Sequence, residues 1–269
     1  MQSNTFVSVR LENIEKRFSE VDTLLLLAES NKHEAHIYSA LCRSAHVLLV
    51  SHVEGIYKDI VKDILDDLNH NTNFSNLPNS IFRTFSLHFI HTEDNKANNE
   101  KIKDKLWEAF KEYKTNLKHE PFLRVDNKNP TPKILEEILT KFGEKNFFAS
   151  LSQSKLEIVF ENSRKTSLKE LERIKKYTKA GTMNFPYTVD KSYYAISNEK
   201  KQKRGLFEEF LDDFLRDRHS IVHGHRLDSP KNSVEIESSK LKIEMLIYAF
   251  ILCLCSNCTP IYFLENNQE

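Results

Sequence analysis

Apolar and polar positions alternate with a helical period along residues 39–69, the clearest regular segment of the chain. Its apolar positions are Leu41, Ala45, Leu48, Leu49, Val53, Ile56, Tyr57, Ile60, Val61, Ile64, Leu65 and Leu68. Residues three and four apart share one face of an α-helix, so the pattern predicts a helix that packs against two others. The asparagine-rich stretch NHNTNFSNLPNS predicts its end.

Three further segments have the same period and are predicted to be helices. They cover about 5–29, 205–224 and 237–255, and the third ends at Gly224 while the fourth contains the apolar run IEMLIYAFILCLC. That run holds a glutamate and is too short to span a bilayer, so it predicts a buried helix. Four long helices, two near each end of the chain, predict an all-α fold with a four-helix bundle.

The residues between the second and third bundle helices, 70–204, are predicted to form a mixed, mostly helical insertion. The bundle core is expected over 5–69 and 205–258, inside a single domain of residues 1–269. A short helix is expected to begin near Pro132 and to stop at Gly143.

A second helix of the insertion is expected from Ser167 and Glu170, which have capping-box spacing, to a stop at Gly181. A basic loop is then predicted, with four aromatic residues beside its lysines: Phe185, Tyr187, Tyr193 and Tyr194. Aromatic rings among lysines can stack on single-stranded RNA, or they can anchor the insertion to the bundle, and both readings stay open.

Composition is that of a globular protein, with 39% hydrophobic and 29% charged residues and a net charge of zero. Five glycines and seven prolines in 269 residues disfavour an all-β fold. Residues 164–204 hold twelve Lys and Arg against four Asp and Glu. Such an excess fits a phosphate-rich partner or an ordinary solvated surface.

Four cysteines, Cys42, Cys253, Cys255 and Cys258, are expected to be free thiols, and Cys253 and Cys255 are expected to be buried. The first residues, MQSNTFVSVRLENIEKRF, have no apolar signal-peptide core. The sequence therefore predicts a cytoplasmic protein without a membrane span.

The stripe of the third bundle helix breaks within RDRHSIVHGHR, residues 216–226. Its apolar pairs are Leu206/Phe207, Phe210/Leu211, Phe214/Leu215 and Ile221/Val222. Arg218 lies about 40° round the helix from both Phe214 and Val222, on the face that should be buried. A buried unpaired charge is costly, so Arg218 must be paired or must face a cleft that holds an anion.

His223 follows Arg218 by five residues, about 140° round the helix, so one helix cannot stack the two side chains directly. Two copies packed antiparallel across a two-fold axis could bring both sets toward one cleft, which predicts a homodimer.

The stretch from Arg218 to His223 resembles the Arg-x4–6-His signature of the HEPN superfamily, which closes the third helix of a four-helix bundle. HVLLVSHVEGIYKDIVKDIL is similar to the second helix of RiboL-PSP-type and MAE-type HEPN proteins, and Glu54 matches a glutamate within it. His219 stands where the signature usually has a polar residue, often asparagine. The resemblance covers about 5–69 and 205–258.

The resemblance implies a metal-independent endoribonuclease without a cofactor, in which the RNA 2′-hydroxyl attacks the adjacent phosphate. Arg218 and His223 match the catalytic pair, with His219 as a third catalytic candidate. A guanidinium can stabilise the phosphorane and an imidazole can move the proton. Six other residues are expected to contact or orient the substrate: Glu54, Lys175, Lys176, Arg216, His225 and Arg226. The resemblance further implies toxin or antiviral-defence duty, with an antitoxin or defence protein as a possible partner.

Three alternatives remain at this stage. The chain can be a non-catalytic HEPN module that binds nucleotides or RNA, or that serves as a scaffold in a toxin–antitoxin or defence complex. Arg218 can instead form a carboxylate pair at the helix end, with His223 near the helix dipole. His219, His223 and His225 can also bind zinc, although no fourth ligand is evident.

Overall fold

The computed structural model describes residues 4–89, 96–112, 115–123, 129–152, 154–161, 163–195, 204–223, 229 and 231–259. Every regular element in these residues is helical, which confirms the all-α class. The α-helices are α1 (Phe6–Ser30), α2 (Ala35–Asn71), α3 (Asn79–His88), α4 (Lys96–Glu112), α5 (Glu120–Leu123), α6 (Pro132–Lys141), α7 (Phe147–Leu151), α8 (Arg164–Thr182), α9 (Leu206–Val222) and α10 (Ser233–Ser256). Short 3₁₀ segments form at Phe74–Asn76, Lys155–Phe160 and Lys191–Tyr193.

The four long helices expected from the apolar periods are α1, α2, α9 and α10. Helix α10 begins four residues before the predicted start because Asn232 and Glu235 form a capping box. The Glu235 N–H donates to Asn232 Oδ1 at 2.9 Å, and the Asn232 N–H donates to Glu235 Oε2 at 2.8 Å. Two N-terminal amide groups are thereby satisfied, which fixes the first turn.

Helix α10 lies at the centre of the fold. Every side chain from Ile243 to Cys255 is buried, and the helix packs against α1, α2, α8 and α9. All four cysteines are free, as predicted, and all four are buried, which was predicted only for Cys253 and Cys255. Among the described residues, no helix combines the length and the apolarity needed to cross a membrane.

Helix α8, which the sequence assigned to the insertion, packs against α10 and also contacts α1. The expected count of four bundle helices is therefore not confirmed, because a fifth long helix lies against the same core. Ser167 lies inside α8 and donates to the Ser163 carbonyl at 3.0 Å, so the predicted capping box at Ser167 and Glu170 is wrong. The helix continues to Thr182, past the predicted stop at Gly181.

Cations of the basic stretch 164–204 pair with carboxylates of the same chain. Lys175 contacts Glu244 of α10 at 2.6 Å, Arg164 pairs with Glu237, and Arg204 pairs with Asp212. These ion pairs account for much of the local excess of positive charge within the described residues. The stretch therefore offers fewer free cations to a phosphate-rich partner than its composition indicates.

The aromatic residues of the same stretch pack against the protein. Tyr187 and Tyr194 are buried, while Phe185 and Tyr193 are half-buried. Tyr193 stacks on Tyr177 with ring centroids 4.5 Å apart. The structure thus favours the interpretation that these rings anchor the segment to the bundle.

Helix α6 is one of the parts of the insertion that pack against α9. Thr131 caps its first turn, and Pro132 occupies its first position. Gly143 has a φ of +94°, the left-handed conformation that glycine adopts without strain, and it follows the helix end as predicted.

Candidate active site

The N-terminal part of helix α9 packs inside the bundle, and its C-terminal part extends beyond the core. Phe207, Leu211, Phe214 and Leu215 are buried in the core. Beyond Leu215 the helix reaches the margin of the bundle, because Val222 is 48% exposed. The buried part of the apolar stripe, expected to continue to Val222, therefore ends at Leu215, and Arg218 lies about one turn beyond it.

Arg218 is half-buried, and its Nε atom is fully shielded. This atom has no hydrogen-bond acceptor among the described residues. The neighbouring carboxylates of α9 are engaged elsewhere, since Asp213 pairs with Arg216 and Asp217 binds Lys231 at 2.7 Å. Arg218 is thus a cation at a partly desolvated position, where an incoming anion would gain a charge-assisted hydrogen bond.

His219 and His223 are adjacent imidazoles at the end of α9. Their ring centroids are 4.2 Å apart, and both side chains are exposed. The four-residue spacing explains the contact, because such residues lie on one helix face. His223 is the C-cap residue, and its backbone N–H donates to the His219 carbonyl at 3.1 Å. The end of the helix thereby holds the two rings side by side.

One groove of about 610 Å³ runs between the end of α9 and the start of α6. This volume is typical of ligand-binding clefts. Its described lining residues are Asn129, Thr131, Lys133, Ile134, Glu137, Arg218, His219 and His223. A single chain therefore brings Arg218, His219 and His223 to one cleft. The sequence argument that the 140° angle requires a homodimer is therefore wrong, because one chain already brings these side chains to the same cleft.

Behind Arg218, the buried His46 of α2 fastens α9 to the bundle. Its Nε2–H donates to the Phe214 carbonyl at 3.1 Å, and its ring lies 4.7 Å from the Phe214 ring. Burial, aided by the charge of Lys231, lowers the pKa of His46 to about 4. The neutral imidazole thus supports α9 one turn before Arg218.

Comparison with known families matches residues 12–159 to the family described as RiboL-PSP-HEPN, more than half of the 269 residues. This chain belongs to the RiboL-PSP-HEPN family. Membership in a HEPN family indicates a nuclease or an RNA-binding module. Searches of curated proteins and of solved structures give no match.

The HEPN match extends beyond the region in which the sequence resemblance was seen. It continues through residues 70–159, which include α6, and it ends before α9 with Arg218 and His223. The α6 wall of the groove therefore lies inside the matched range, and the α9 wall lies outside it.

Four of the predicted substrate residues do not line the groove between α6 and α9. Glu54 accepts from Lys58 at 2.8 Å on α2, and Arg216 lines a separate surface groove on α9. Lys175 and Lys176 line a third cavity beside Tyr248. None of the four therefore lines the groove that contains Arg218. His225 and Arg226 lie outside the described residues.

The groove residues that sequence reasoning missed come from α6 and from the residues just before it. Asn129, Thr131, Lys133 and Glu137 carry no motif that links them to α9, because their proximity depends on how the insertion folds back onto the bundle. Pro132 predicts where α6 begins, but it does not predict which helix α6 packs against.

Metal ligation was one alternative for the histidines of α9. Within the described part of the chain, no three His, Cys, Asp or Glu side chains are grouped closely enough to hold a metal ion. His225, the third nitrogen ligand of that alternative, lies outside the described residues.

Proposed function

We propose that this HEPN protein is a metal-independent endoribonuclease whose site is the groove between α6 and α9. The observation that carries the proposal is Arg218, a partly desolvated guanidinium without a carboxylate partner among the described residues. It opens onto the cleft that His219 and His223 also line. A cation with flanking imidazoles fits a phosphodiester better than it fits a neutral ligand.

The proposed reaction is an attack of an RNA 2′-hydroxyl on the adjacent phosphorus. One imidazole takes the 2′-hydroxyl proton while the new P–O2′ bond forms, and the other gives a proton to O5′ as the P–O5′ bond breaks. Arg218 stabilises the additional negative charge of the phosphorane. We assign His223 and His219 to the two proton transfers. The products are a 2′,3′-cyclic phosphate and a 5′-hydroxyl.

We also propose that the protein works as a homodimer in toxin or antiviral-defence duty, with an antitoxin or defence protein as partner. The resemblance to HEPN nucleases supports this role. Exposed Val222 and the two exposed histidines at the end of α9 offer a surface on which a second copy can close the groove. Sedimentation equilibrium tests the dimer separately from the chemistry.

The reaction is tested by incubating the purified protein with single-stranded RNA in excess EDTA. We expect cleavage to persist and the 5′ fragment to end in a cyclic phosphate. An oligonucleotide with 2′-deoxyribose at the preferred cleavage position is the matched control, and it should remain intact at that position. Loss of cleavage in EDTA, or cleavage of the deoxy position, would contradict the proposed reaction.

The second candidate is a HEPN module that binds RNA or a partner without cutting. The end of the family match before α9 favours it, because the match does not include Arg218 or His223. This candidate predicts tight RNA or partner binding together with intact RNA after long incubation.

A further inference from the structure

The insertion supplies one wall of the groove, and it places a second cation there. Lys133 of α6 lines the same cleft as Arg218 and is exposed. No carboxylate of the described residues pairs with it, and Glu137, one turn further along α6, forms no ion pair with it. Two cations from separate elements thus face one cleft.

The position of Lys133 is unfavourable for the isolated helix. It occupies the second position of α6, and the first turn contains no acidic residue. The start of a helix carries a partial positive charge, so a lysine there adds to the potential instead of offsetting it. With Arg218 opposite, the mouth of the groove is positive near α6 and attracts anionic groups.

A nucleic acid strand offers a regular row of such anions. One phosphate at Arg218 leaves the rest of the strand to cross the groove toward α6 or to leave into solvent. Lys133, with the polar Asn129 and Thr131 beside it, lies on the first of these routes. Glu137 adds one negative charge further along the same wall, which opposes a strand that passes over it.

We propose that Lys133 is a positioning residue that binds the RNA phosphate next to the scissile one, while Glu137 weakens RNA binding in the same groove. The inference rests on the proposed function for the location of the scissile phosphate at Arg218. The site then holds two successive phosphates, one on α9 and one on α6. Its substrate is a single strand with at least two phosphodiesters.

Binding and cleavage are measured separately so that the two proposals can fail independently. RNA affinity is measured at several salt concentrations in a His223→Ala background, which is expected to bind without cleaving. In that background, Lys133→Ala should weaken binding about fivefold and reduce the salt slope by about 0.7, the value for one phosphate contact on a single strand. Glu137→Gln should strengthen binding, and Lys133→Arg should preserve it.

Lys165→Ala is the matched control, because Lys165 is also exposed at the second position of a helix, α8, and lies outside the groove. Cleavage by the otherwise unchanged protein adds a second readout. Lys133→Ala should lower kcat/KM for a trinucleotide, which has two phosphodiesters, and should leave a dinucleotide with its single phosphodiester unaffected. A structural defect would lower both values.

Equal RNA binding by Lys133→Ala and Lys165→Ala, together with cleavage by the wild-type protein, would overturn the subsite and leave the nuclease standing. Weakened binding by Lys133→Ala without any cleavage by the wild type would support a phosphate site and overturn the nuclease. No RNA binding at any salt concentration would overturn both.

Discussion

At the scale of single residues, His46 connects the buried core to the groove. Its ring is fully buried, and its Nδ1 atom has no hydrogen-bond partner among the described residues. Protonation would place a second N–H donor, and a charge, in an apolar setting. The native structure therefore requires the neutral form, which is why the pKa of His46 lies near 4.

This pKa predicts a loss of stability in mild acid. The pKa falls from 6.5 in the unfolded chain to about 4 in the folded protein, so the unfolded state binds the additional proton between these values. The free energy of unfolding should decrease as the pH falls from about 6.5 to about 4, by about 3 kcal/mol at most. Urea denaturation at a series of pH values measures it.

His46→Gln isolates this contribution from those of other groups, including His52, whose pKa burial also lowers. Glutamine can keep the donor to the Phe214 carbonyl but does not titrate in this range. Between about pH 6.5 and 4 the variant should lose less stability than the wild type does, whereas His36→Ala, at an exposed position of α2, should retain the wild-type pH dependence. Identical pH profiles for wild type and His46→Gln would contradict the assignment.

At the scale of elements, Gly181 near the end of α8 allows a close approach. A Cβ atom there would lie 2.4 Å from Val189 Cγ1, and the Gly181 carbonyl accepts from the Thr188 N–H at 2.9 Å. Helix α8 and the chain that returns from it are therefore packed without room for a side chain. Gly181 is therefore explained by this close contact and not by a role in ending the helix.

Gly181→Ala should destabilise the protein by about 1–3 kcal/mol, because Val189 is buried and must move. Gly55→Ala is the control inside another helix, since its nearest neighbour is the far end of the flexible Arg17 side chain at 3.0 Å. That variant should be neutral or slightly stabilising, because alanine favours helix over glycine. Thermal unfolding compares the two, and an equal melting temperature for Gly181→Ala and wild type would refute the packing argument.

Elements that depend on residues close in sequence can be predicted, whereas contacts between distant segments cannot. The apolar periods predicted α1, α2, α9 and α10 because an amphipathic face depends only on the spacing of residues that are close in sequence. The capping signal at Ser167 and Glu170 failed because Ser163, four residues earlier, begins the helix. The contact of α6 with α9 joins residues some 85 positions apart, and no local pattern encodes such a distance.

The candidate site follows the same rule. Arg218 and His219 could be selected from the sequence because they interrupt the stripe of one helix, and His223 because it completes the HEPN signature that begins at Arg218. Lys133 and Glu137 could not, since they are ordinary surface residues until α6 is placed beside α9. Lys175 and Lys176 were selected because they lie in a lysine-rich stretch near aromatic residues, and neither feature reveals the carboxylate that pairs with Lys175.

At the scale of the whole molecule, ion pairs within the chain neutralise part of its positive charge. The net charge is zero, and many cations of residues 164–204 pair with carboxylates of the same chain. Arg218 and Lys133 form no ion pairs with the described residues, and they share one groove. The proposed anion site thus lies at the junction between the insertion and the bundle.

The cleavage rate of single-stranded RNA under single-turnover conditions in EDTA, compared between Arg218→Ala and Arg216→Ala, tests the central claim most directly. Both variants remove one arginine from α9, but Arg216 is exposed, pairs with Asp213 and lies outside the groove. We expect Arg218→Ala to lower the rate by roughly 10²–10⁴ and Arg216→Ala to keep it. A cleavage rate of Arg218→Ala equal to that of the wild type, or an equal loss of rate in both variants, would contradict the proposed site.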